Sequence, residues 1–365
     1  MDGYAVRADD VRDAAASTPV KLVVVATIPA GSSSSHAVGG GEAARIMTGA
    51  PVPPGADSVV RVEDTDSGED VVRIKSGRDA LRNIRLRGED VSEGDIVAAA
   101  GSMLHPAHLG MLASVGRSEV RVHPRPKVAV LASGDELVDV DRFGEVLSGS
   151  KIVSSNSYSL EAAVRDAGGV PLPLGTVGDD PSALKQRLAG LRCDLLLTTG
   201  GVSVGAFDFT RDVLGELGAE HRFWRVKMRP GAPVGFGVLR GIPWLGLPGN
   251  PVSTLVTFEL FARAAIRKLA GHALPHRRLV SVRVAETVTI AAPLTHFLRA
   301  VVTREQDGYT ARLTGPQGSG LLSSMARANA LLVVPPERSR IDAGGQVEAI
   351  LLRDDLAHAQ DPLSR

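Results

Sequence analysis

Cysteine is almost missing from this sequence, with only Cys193 among 365 residues. A single thiol excludes an internal disulfide and any zinc site built from cysteines. Because Cys193 directly precedes an apolar run, we expect it to be a small core residue.

The sequence also lacks a dominant charge sign and a long apolar run. Lys plus Arg and Asp plus Glu number 41 each, so no net field attracts nucleic acid or an acidic membrane surface. No apolar stretch reaches the roughly 18 residues of a membrane span. Residues 1–5 have neither the basic start nor the apolar core of a signal peptide. We therefore expect a cytoplasmic protein with no nucleic-acid or membrane partner.

Composition shifts along the chain predict four domains. Residues 1–86 hold short apolar runs between turn residues, which favours a β-rich domain with strands at 21–26, 58–62 and 71–74. Residues 87–123 carry a predicted strand at 95–99 and a helix at 106–114. Residues 124–272 alternate strands and helices, whereas residues 273–355 show β segments and almost no helix pattern, typical of a small β-barrel or sandwich.

Residues 124–272 predict an α/β fold with a mostly parallel sheet and helices on both faces. The predicted strands are 128–132, 170–174, 194–198, 223–227, 233–238 and 243–247, and a long helix is predicted at 252–269. Ligands in such sheets bind at the carboxyl ends of the strands. The turns that follow strands 128–132, 194–198 and 243–247 are therefore the candidates for a site.

The turn after strand 194–198 is rich in glycine, and its notable residues are Gly200, Gly201, Val202, Ser203, Gly205 and Asp208. Glycines let the backbone approach a ligand closely. A strand, a Gly-rich turn and a helix N-terminus together form a common anion site. The same pattern also occurs in turns that bind nothing, and this stretch alone does not decide between the two.

Acidic residues follow the strand ends. Asp135 and Glu136 come after strand 128–132, and we expect them at one sheet edge with Asp179, Asp180 and Asp208. Carboxylates beside a phosphate-binding turn suit Mg²⁺. Each acid alone is also compatible with a helix cap or a solvated turn, and Asp180 fits a cap best.

The third turn, residues 247–251, places Pro248 and Pro251 around Gly-Asn, which predicts a rigid opening of the next helix.

Two basic clusters complete the set of candidates. One contains Arg82, Arg85 and Arg87, and the other contains Arg225, Lys227 and Arg229. Alternation along a strand would put the cations of each cluster on one face, where they could hold phosphate or another oxyanion. A solvated strand face is the alternative for both.

These motifs, in this order, resemble the molybdopterin molybdenumtransferase family, which includes MoeA and the gephyrin E domain. The resemblance spans nearly the whole chain. The matching segments are 1–5 (Met-Asp-Gly-Tyr-Ala), 45–51, 87–90, 133–137 (Ser-Gly-Asp-Glu-Leu), 200–205 with Asp208, 247–251 (Leu-Pro-Gly-Asn-Pro), 317–319 and 323–324.

The resemblance implies a homodimer that inserts molybdenum from molybdate into adenylylated molybdopterin, with Mg²⁺, and releases AMP. It implies that residues 87–123 are what remains of an extended dimerising domain, and that molybdoenzymes or their chaperones are further partners. Functional positions of the family map onto Asp2, Thr48, Asp90, Glu136, Asp179, Asp208, Pro248 and Pro251. The first three lie far from the α/β region in sequence, so we expect the partner subunit to supply them.

Within this family, we expect the backbone of residues 200–205, with Arg225 and Arg229, to hold the pyrophosphate and pterin. Glu136 and Asp208 would then position Mg²⁺ and the adenylate, and molybdate would lie near Arg and Ser or Thr donors. Two alternatives stay open: a molybdopterin adenylyltransferase, which resembles the α/β domain alone, and a non-catalytic scaffold of the gephyrin E type.

The chain departs from the family pattern in two ways. Arg229 stands where the family usually has Lys, which keeps the charge but changes its geometry, and Ala232 stands where Lys is frequent. The family also usually has a segment ahead of Met-Asp-Gly-Tyr-Ala that helps to build the dimerising domain. We interpret the chain as truncated there, which puts dimer stability in question.

Overall fold

The structure is a computed structural model that describes residues 1–200, 209–290 and 293–353. The chain forms two compact units, residues 1–97 and 98–365. In the described ranges, no helix combines the length and apolar character needed to cross a membrane.

The first unit is built on a five-stranded sheet with strand order β4-β1-β3-β2-β5. β1 is buried on both faces, because Tyr4 and Val6 pack on one side and Ala5 packs on the other. A Cβ at Gly3 would lie 2.0 Å from the carbonyl oxygen of Val60, so the close pairing with β4 requires glycine. All three predicted strands are confirmed. The elements are β1 (Gly3–Val6), α1 (Ala8–Val11), β2 (Val20–Ile28), β3 (Glu42–Ile46), β4 (Ser58–Arg61) and β5 (Val71–Ile74).

An ion pair between the buried Asp79 and the partly exposed Arg61 stabilises this unit. Asp79 is 1% exposed and accepts hydrogen bonds from Nε and Nη2 of Arg61, each at 2.8 Å. The Arg61 guanidinium holds the pKa of Asp79 well below its usual range. The ion pair therefore stabilises the folded unit fully at pH values above the unfolded carboxyl pKa of about 3.9, and this stabilisation is lost as pH falls below that value.

We expect Asp79→Ala to lower the free energy of unfolding of the first unit by about 2 kcal/mol at pH 7, because it removes the charge-assisted hydrogen bonds that Arg61 donates to Asp79. Urea unfolding followed at pH 7 and at pH 3 measures the effect, and the difference between variant and parent shrinks at the lower pH. Asp70→Ala, at an exposed position, is the control. An equal loss of unfolding free energy at both pH values would contradict the stabilising role of the Asp79–Arg61 ion pair.

The second unit is built around a six-stranded sheet with strand order β11-β13-β14-β10-β6-β9. The pairs β14–β10, β10–β6 and β6–β9 are parallel, whereas β11–β13 and β13–β14 are antiparallel. The predicted mostly parallel sheet is therefore confirmed, with an antiparallel edge. Its strands are β6 (Lys127–Ser133), β9 (Val170–Val177), β10 (Leu195–Thr199), β11 (Ala219–Phe223), β13 (Gly235–Leu239) and β14 (Ile242–Leu247). Outside this sheet, β7 (Leu137–Val138) pairs with β8 (Ile152–Val153), and β12 (Met228–Arg229) pairs with a later strand, β17 (Thr295–Glu305).

Helices cover both faces of this sheet. One face packs on α4 and on the long helix of residues 251–269, and the other packs on α5 and α6. The long helix is interrupted by a π-helical turn, Phe258–Ala262. Asp180 caps α5, as predicted, because its Oδ1 accepts from the Ser182 N–H at 2.8 Å. The helices are α2 (Pro106–Ser114), α3 (Phe143–Val146), α4 (Ser155–Asp166), α5 (Pro181–Leu188), α6 (Phe209–Glu216), α7 (Pro251–Thr257) and α8 (Arg263–Leu269).

The C-terminal region forms the predicted β-barrel. The ring β17-β18-β15-β21-β19 closes through pairing of β17 with β19 around an apolar core. The elements are β15 (Leu279–Val284), β16 (Val288–Thr289), β17 (Thr295–Glu305), β18 (Gly308–Leu313), α9 (Leu322–Arg327), β19 (Ala330–Val334), β20 (Arg340–Ile341) and β21 (Gln346–Leu351).

Two predicted strands are wrong. Residues 95–99 are irregular, with a bend at 97–98, and Ile96 is 81% exposed, so this short apolar run does not pair with any described sheet. Residues 223–227 do not form a strand either, because β11 ends at Phe223 and the chain then leaves the sheet. It enters β12, which pairs with β17 of the barrel.

Candidate active site

The turns that follow four parallel strands start at one level of the sheet. Thr199, the last residue of β10, lies opposite Ala132 of β6 and Leu247 of β14. Ser133, the last residue of β6, lies opposite Val177 at the end of β9. The register therefore brings the three predicted turns, and the turn after β9, to the same carboxyl edge.

Gly200 lies at the centre of this edge. Its φ is +88°, and a Cβ there would lie 2.2 Å from the carbonyl oxygen of Ser133. A Cβ on Gly249 would in turn lie 3.7 Å from the Cα of Gly200. Glycine is therefore required where the three turns meet. The predicted site residues Gly201, Val202, Ser203, Gly205 and Asp208 lie outside the described residues.

Side chains hold the carbonyl groups of the Pro-Gly-Asn-Pro turn. The carbonyl oxygen of Pro248 accepts from the hydroxyls of Thr199 at 3.1 Å and Thr254 at 2.5 Å. The carbonyl of Gly249 accepts from Nδ2 of Asn156 at 2.7 Å. Pro251 then occupies the first position of α7, as predicted.

The acidic turns after β6 and β9 are joined by hydrogen bonds. Oδ1 of Asp135 accepts from the Asp179 N–H at 2.9 Å, and the Asp135 carbonyl accepts from Nζ of Lys151 at 2.6 Å. Partial desolvation raises the pKa of Asp179, although the residue is largely exposed, and the carboxylates of Asp135 and Glu136 raise it further. The structure therefore brings three of the predicted acids together, with Lys151 beside Asp135.

An open, mostly polar cavity of about 390 Å³ adjoins these acids. Its walls come from the turns after β6 and β9 and from the segment that leads to α4, and they include Asp135, Asp139, Arg142, Lys151 and Thr176. The volume lies within the range of small-molecule sites.

Of the two basic clusters, only the second resembles its predicted form. Residues 82–87 are mostly irregular, with a bend at Asn83, so strand alternation does not order Arg82, Arg85 and Arg87. Arg225, Lys227 and Arg229 are all exposed, and the residues between them are partly or fully buried. The second cluster therefore shows the predicted alternation, although only Met228–Arg229 forms a strand.

In the first unit, Asp2 and Thr48 are paired. Oδ1 of Asp2 accepts from the backbone N–H of Thr48 at 2.8 Å and from its hydroxyl at 2.7 Å. These bonds lower the pKa of Asp2 and favour its ionised form. Asp90 lies in an exposed turn, and no hydrogen bond within the described residues joins it to this pair.

Arg299 organises the loop before α9, and the sequence patterns did not identify it. Its side chain is 0% exposed and donates to Ser324 Oγ at 3.0 Å and to the carbonyls of Gln317 at 3.1 Å and Gly318 at 3.0 Å. The same loop reaches the edge of the α/β domain, because Ser319 O accepts from Val252 N at 3.0 Å. The available indication was an arginine in the middle of the apolar run of residues 297–302 in β17.

Comparison with known proteins agrees with this architecture. Residues 1–116 match the family model "MoeA N-terminal region (domain I and II)", residues 129–268 match "Probable molybdopterin binding domain", and residues 281–352 match "MoeA C-terminal region (domain IV)".

Relatives match over nearly the whole chain. Molybdopterin molybdenumtransferase 2 of Mycobacterium tuberculosis is 40% identical over 356 residues, which cover 95% of this chain and 86% of the relative. Molybdopterin molybdenumtransferase of Staphylococcus aureus is 36% identical over 98% of this chain and 85% of the relative. The crystal structure of the molybdopterin biosynthesis moeA protein from Pyrococcus horikoshii superposes with a TM-score of 0.78 at 29% identity, over 96% of this chain and 86% of that one. The chain belongs to the MoeA family.

Proposed function

We propose that this chain is a molybdopterin molybdenumtransferase, an enzyme of molybdenum cofactor biosynthesis. It inserts molybdenum from molybdate into adenylylated molybdopterin and releases AMP. The observation that carries the proposal is the meeting of Gly200, the Pro-Gly-Asn-Pro turn and the acidic turns at one sheet edge. The names of the relatives support the same activity.

The chemistry of this edge supports a division of roles. Gly200 lets the turn after β10 pack directly on the carbonyl of Ser133, and the exposed Arg225 and Arg229 would supply cations for the phosphates of the substrate. Asp179 and Glu136 supply negative charge at the opposite end. Molybdate, as an oxyanion substrate, would be held by Arg229 together with Ser or Thr hydroxyls.

Mg²⁺ is part of the proposal, with Glu136 and Asp208 as its protein ligands. Among residues 1–200, 209–290 and 293–353, no three acids, histidines or cysteines are arranged to hold a metal. Mg²⁺ does not require such a trio, because it commonly takes one or two carboxylates and completes its shell with phosphate oxygens and water. Partial desolvation raises the pKa of Asp179, and the carboxylates of Asp135 and Glu136 raise it further; a divalent cation would offset the repulsion among these carboxylates. Bound there, Mg²⁺ would stabilise charge on the phosphate during cleavage.

A homodimer and a four-domain division also belong to the proposal. Every residue of α2 is at least partly exposed, and Leu109 on it is 55% exposed. Val115, Val120 and Val122 are exposed nearby in the sequence. Apolar side chains in this number favour contact with a second copy. The Asp2–Thr48 pair and Asp90 remain predicted parts of the site.

The product must pass to a molybdoenzyme or to its chaperone, since the cofactor acts only inside such an enzyme. We place this transfer in the cytoplasm, as expected from the sequence.

The function is tested by incubating the purified full chain with adenylylated molybdopterin and Mg²⁺, with and without molybdate. We expect AMP release that depends on molybdate, and elution from a sizing column at twice the mass of one chain. Tungstate in place of molybdate measures the oxyanion preference. Adenylylation of molybdopterin from ATP would instead identify an adenylyltransferase, and binding without turnover would identify a scaffold.

A further inference from the structure

The side-chain amide of Asn156 joins two turns of the proposed site. Its Nδ2 donates to Oγ1 of Thr199 at 3.1 Å and to the carbonyl oxygen of Gly249 at 2.7 Å. Asn156 lies in the first turn of α4, so this helix is tied to the ends of β10 and β14 together. The two hydrogen bonds fix the plane of the amide.

The other atom of this amide, Oδ1, is buried and has no hydrogen-bond partner among the described residues. A buried acceptor without a donor is unfavourable, and native proteins contain few of them. Oδ1 cannot turn toward solvent unless both bonds of Nδ2 break. The atom is therefore held in place, ready to accept a bond from a donor that enters the site.

We propose that Oδ1 of Asn156 accepts a hydrogen bond from an N–H group of the pterin ring and so orients the substrate along the sheet edge. This inference rests on the proposed function. A phosphate oxygen is an acceptor and would be repelled by Oδ1, whereas the pterin ring carries amide and amino donors.

The sheet order supports this orientation. Asn156 contacts the ends of β10 and β14, while Asp135 and Asp179 follow β6 and β9 on the other side of β10. The pterin then lies toward β14, and the adenylate lies toward the acids. Asn156 acts as a positioning residue, since it holds the substrate and takes no part in bond cleavage.

The experiment uses two separate probes, 6-hydroxymethylpterin followed by its own fluorescence, and AMP. We expect Asn156→Ala to weaken pterin binding roughly tenfold and to change AMP binding less than about twofold. Asn156→Asp keeps an acceptor oxygen and should bind pterin more tightly than Asn156→Ala. Asn329→Ala is the control, because Asn329 also exchanges two hydrogen bonds, with Val302 in the barrel.

Three outcomes would overturn the inference: unchanged pterin binding in Asn156→Ala, equal losses for pterin and AMP, or a loss for AMP alone, which would assign the donor to the ribose. If Asn156→Ala does not fold, Asn156→Leu, which keeps the side-chain volume but has no acceptor oxygen, replaces it for the two probes, and the same three outcomes apply. Failure of the proposed function is distinct, because the parent chain would then release no AMP in the presence of molybdate.

Discussion

Glu136→Ala is expected to lower molybdate-dependent AMP release about a hundredfold, since under the proposed function it would remove a carboxylate that holds Mg²⁺ at the phosphate. The effect should fall on kcat more than on KM, because a cation bound there would act on charge that develops during cleavage. Asp208→Ala, at a position assigned from the sequence motif alone, should behave in the same way. Turnover under saturating substrate, with Mg²⁺ varied, measures both variants.

Asp180→Ala is the matched control for these variants. Asp180 lies at the same sheet edge, but its carboxylate caps α5 through Ser182. We expect it to cost about 1 kcal/mol of stability and to leave turnover within about twofold. Parent-like turnover in both Glu136→Ala and Asp208→Ala would refute their roles, and a hundredfold loss in Asp180→Ala would show that the assay responds to any acid at this edge.

Arg299→Ala is expected to lower the free energy of unfolding by about 4 kcal/mol, the second large effect. The change leaves a cavity and removes the donor to the buried Ser324 Oγ, which costs about 1–3 kcal/mol when left without a partner. The carbonyls of Gln317 and Gly318 also lose their donor, but water can partly replace it because Gly318 is exposed. Arg299→Lys keeps the charge but not the planar fork of donors, so it should recover only part of the loss.

Urea unfolding measures the change in stability, and hydrogen exchange locates it. Amide exchange of Val252 should rise in the Arg299 variants, because its N–H bonds to Ser319 in the loop that Arg299 holds. Arg304→Ala, on the exposed end of the same strand, should change neither quantity. Exchange at Val252 that equals the parent would show that the loop keeps its place without Arg299.

Local patterns predicted the strands and the order of the turns, because buried parallel strands are continuous apolar runs between turn residues. Such a run defined β10, and its register with β6 and β14 then placed Asp135 and Gly200 at one edge. Period-two alternation misled the prediction for residues 223–227. The spacing of Trp224, Val226 and Met228 reflects burial of every second residue along a chain that has already left the sheet.

The contacts that complete the site could not be predicted in this way. Asn156 and Gly249 are 93 positions apart, and the bond between them exists only because the fold brings α4 to the end of β14. Arg299 depends on the same kind of contact, since its partners come from a loop 17–19 positions away. Side-chain chemistry alone indicates that the amide of Asn156 and the guanidinium of Arg299 need hydrogen-bond partners when they are buried. It does not indicate which residues these partners are.

The π-helical turn between α7 and α8 lies in a helix that packs against two cores, one shared with the barrel and one in the α/β sheet. Val252 and Val256 pack with Phe297 and Leu331 of the barrel, whereas Ala262 and Ile266 pack in the core of the α/β sheet. The wider turn holds one residue more than an α-helical turn, and each residue corresponds to about 100° of rotation. The π-helical turn of residues 258–262 therefore determines the angle between the helix face that packs on the barrel and the face that packs on the α/β sheet. Loss of one residue there would rotate the barrel-facing half away from its core while leaving every side chain chemically unchanged.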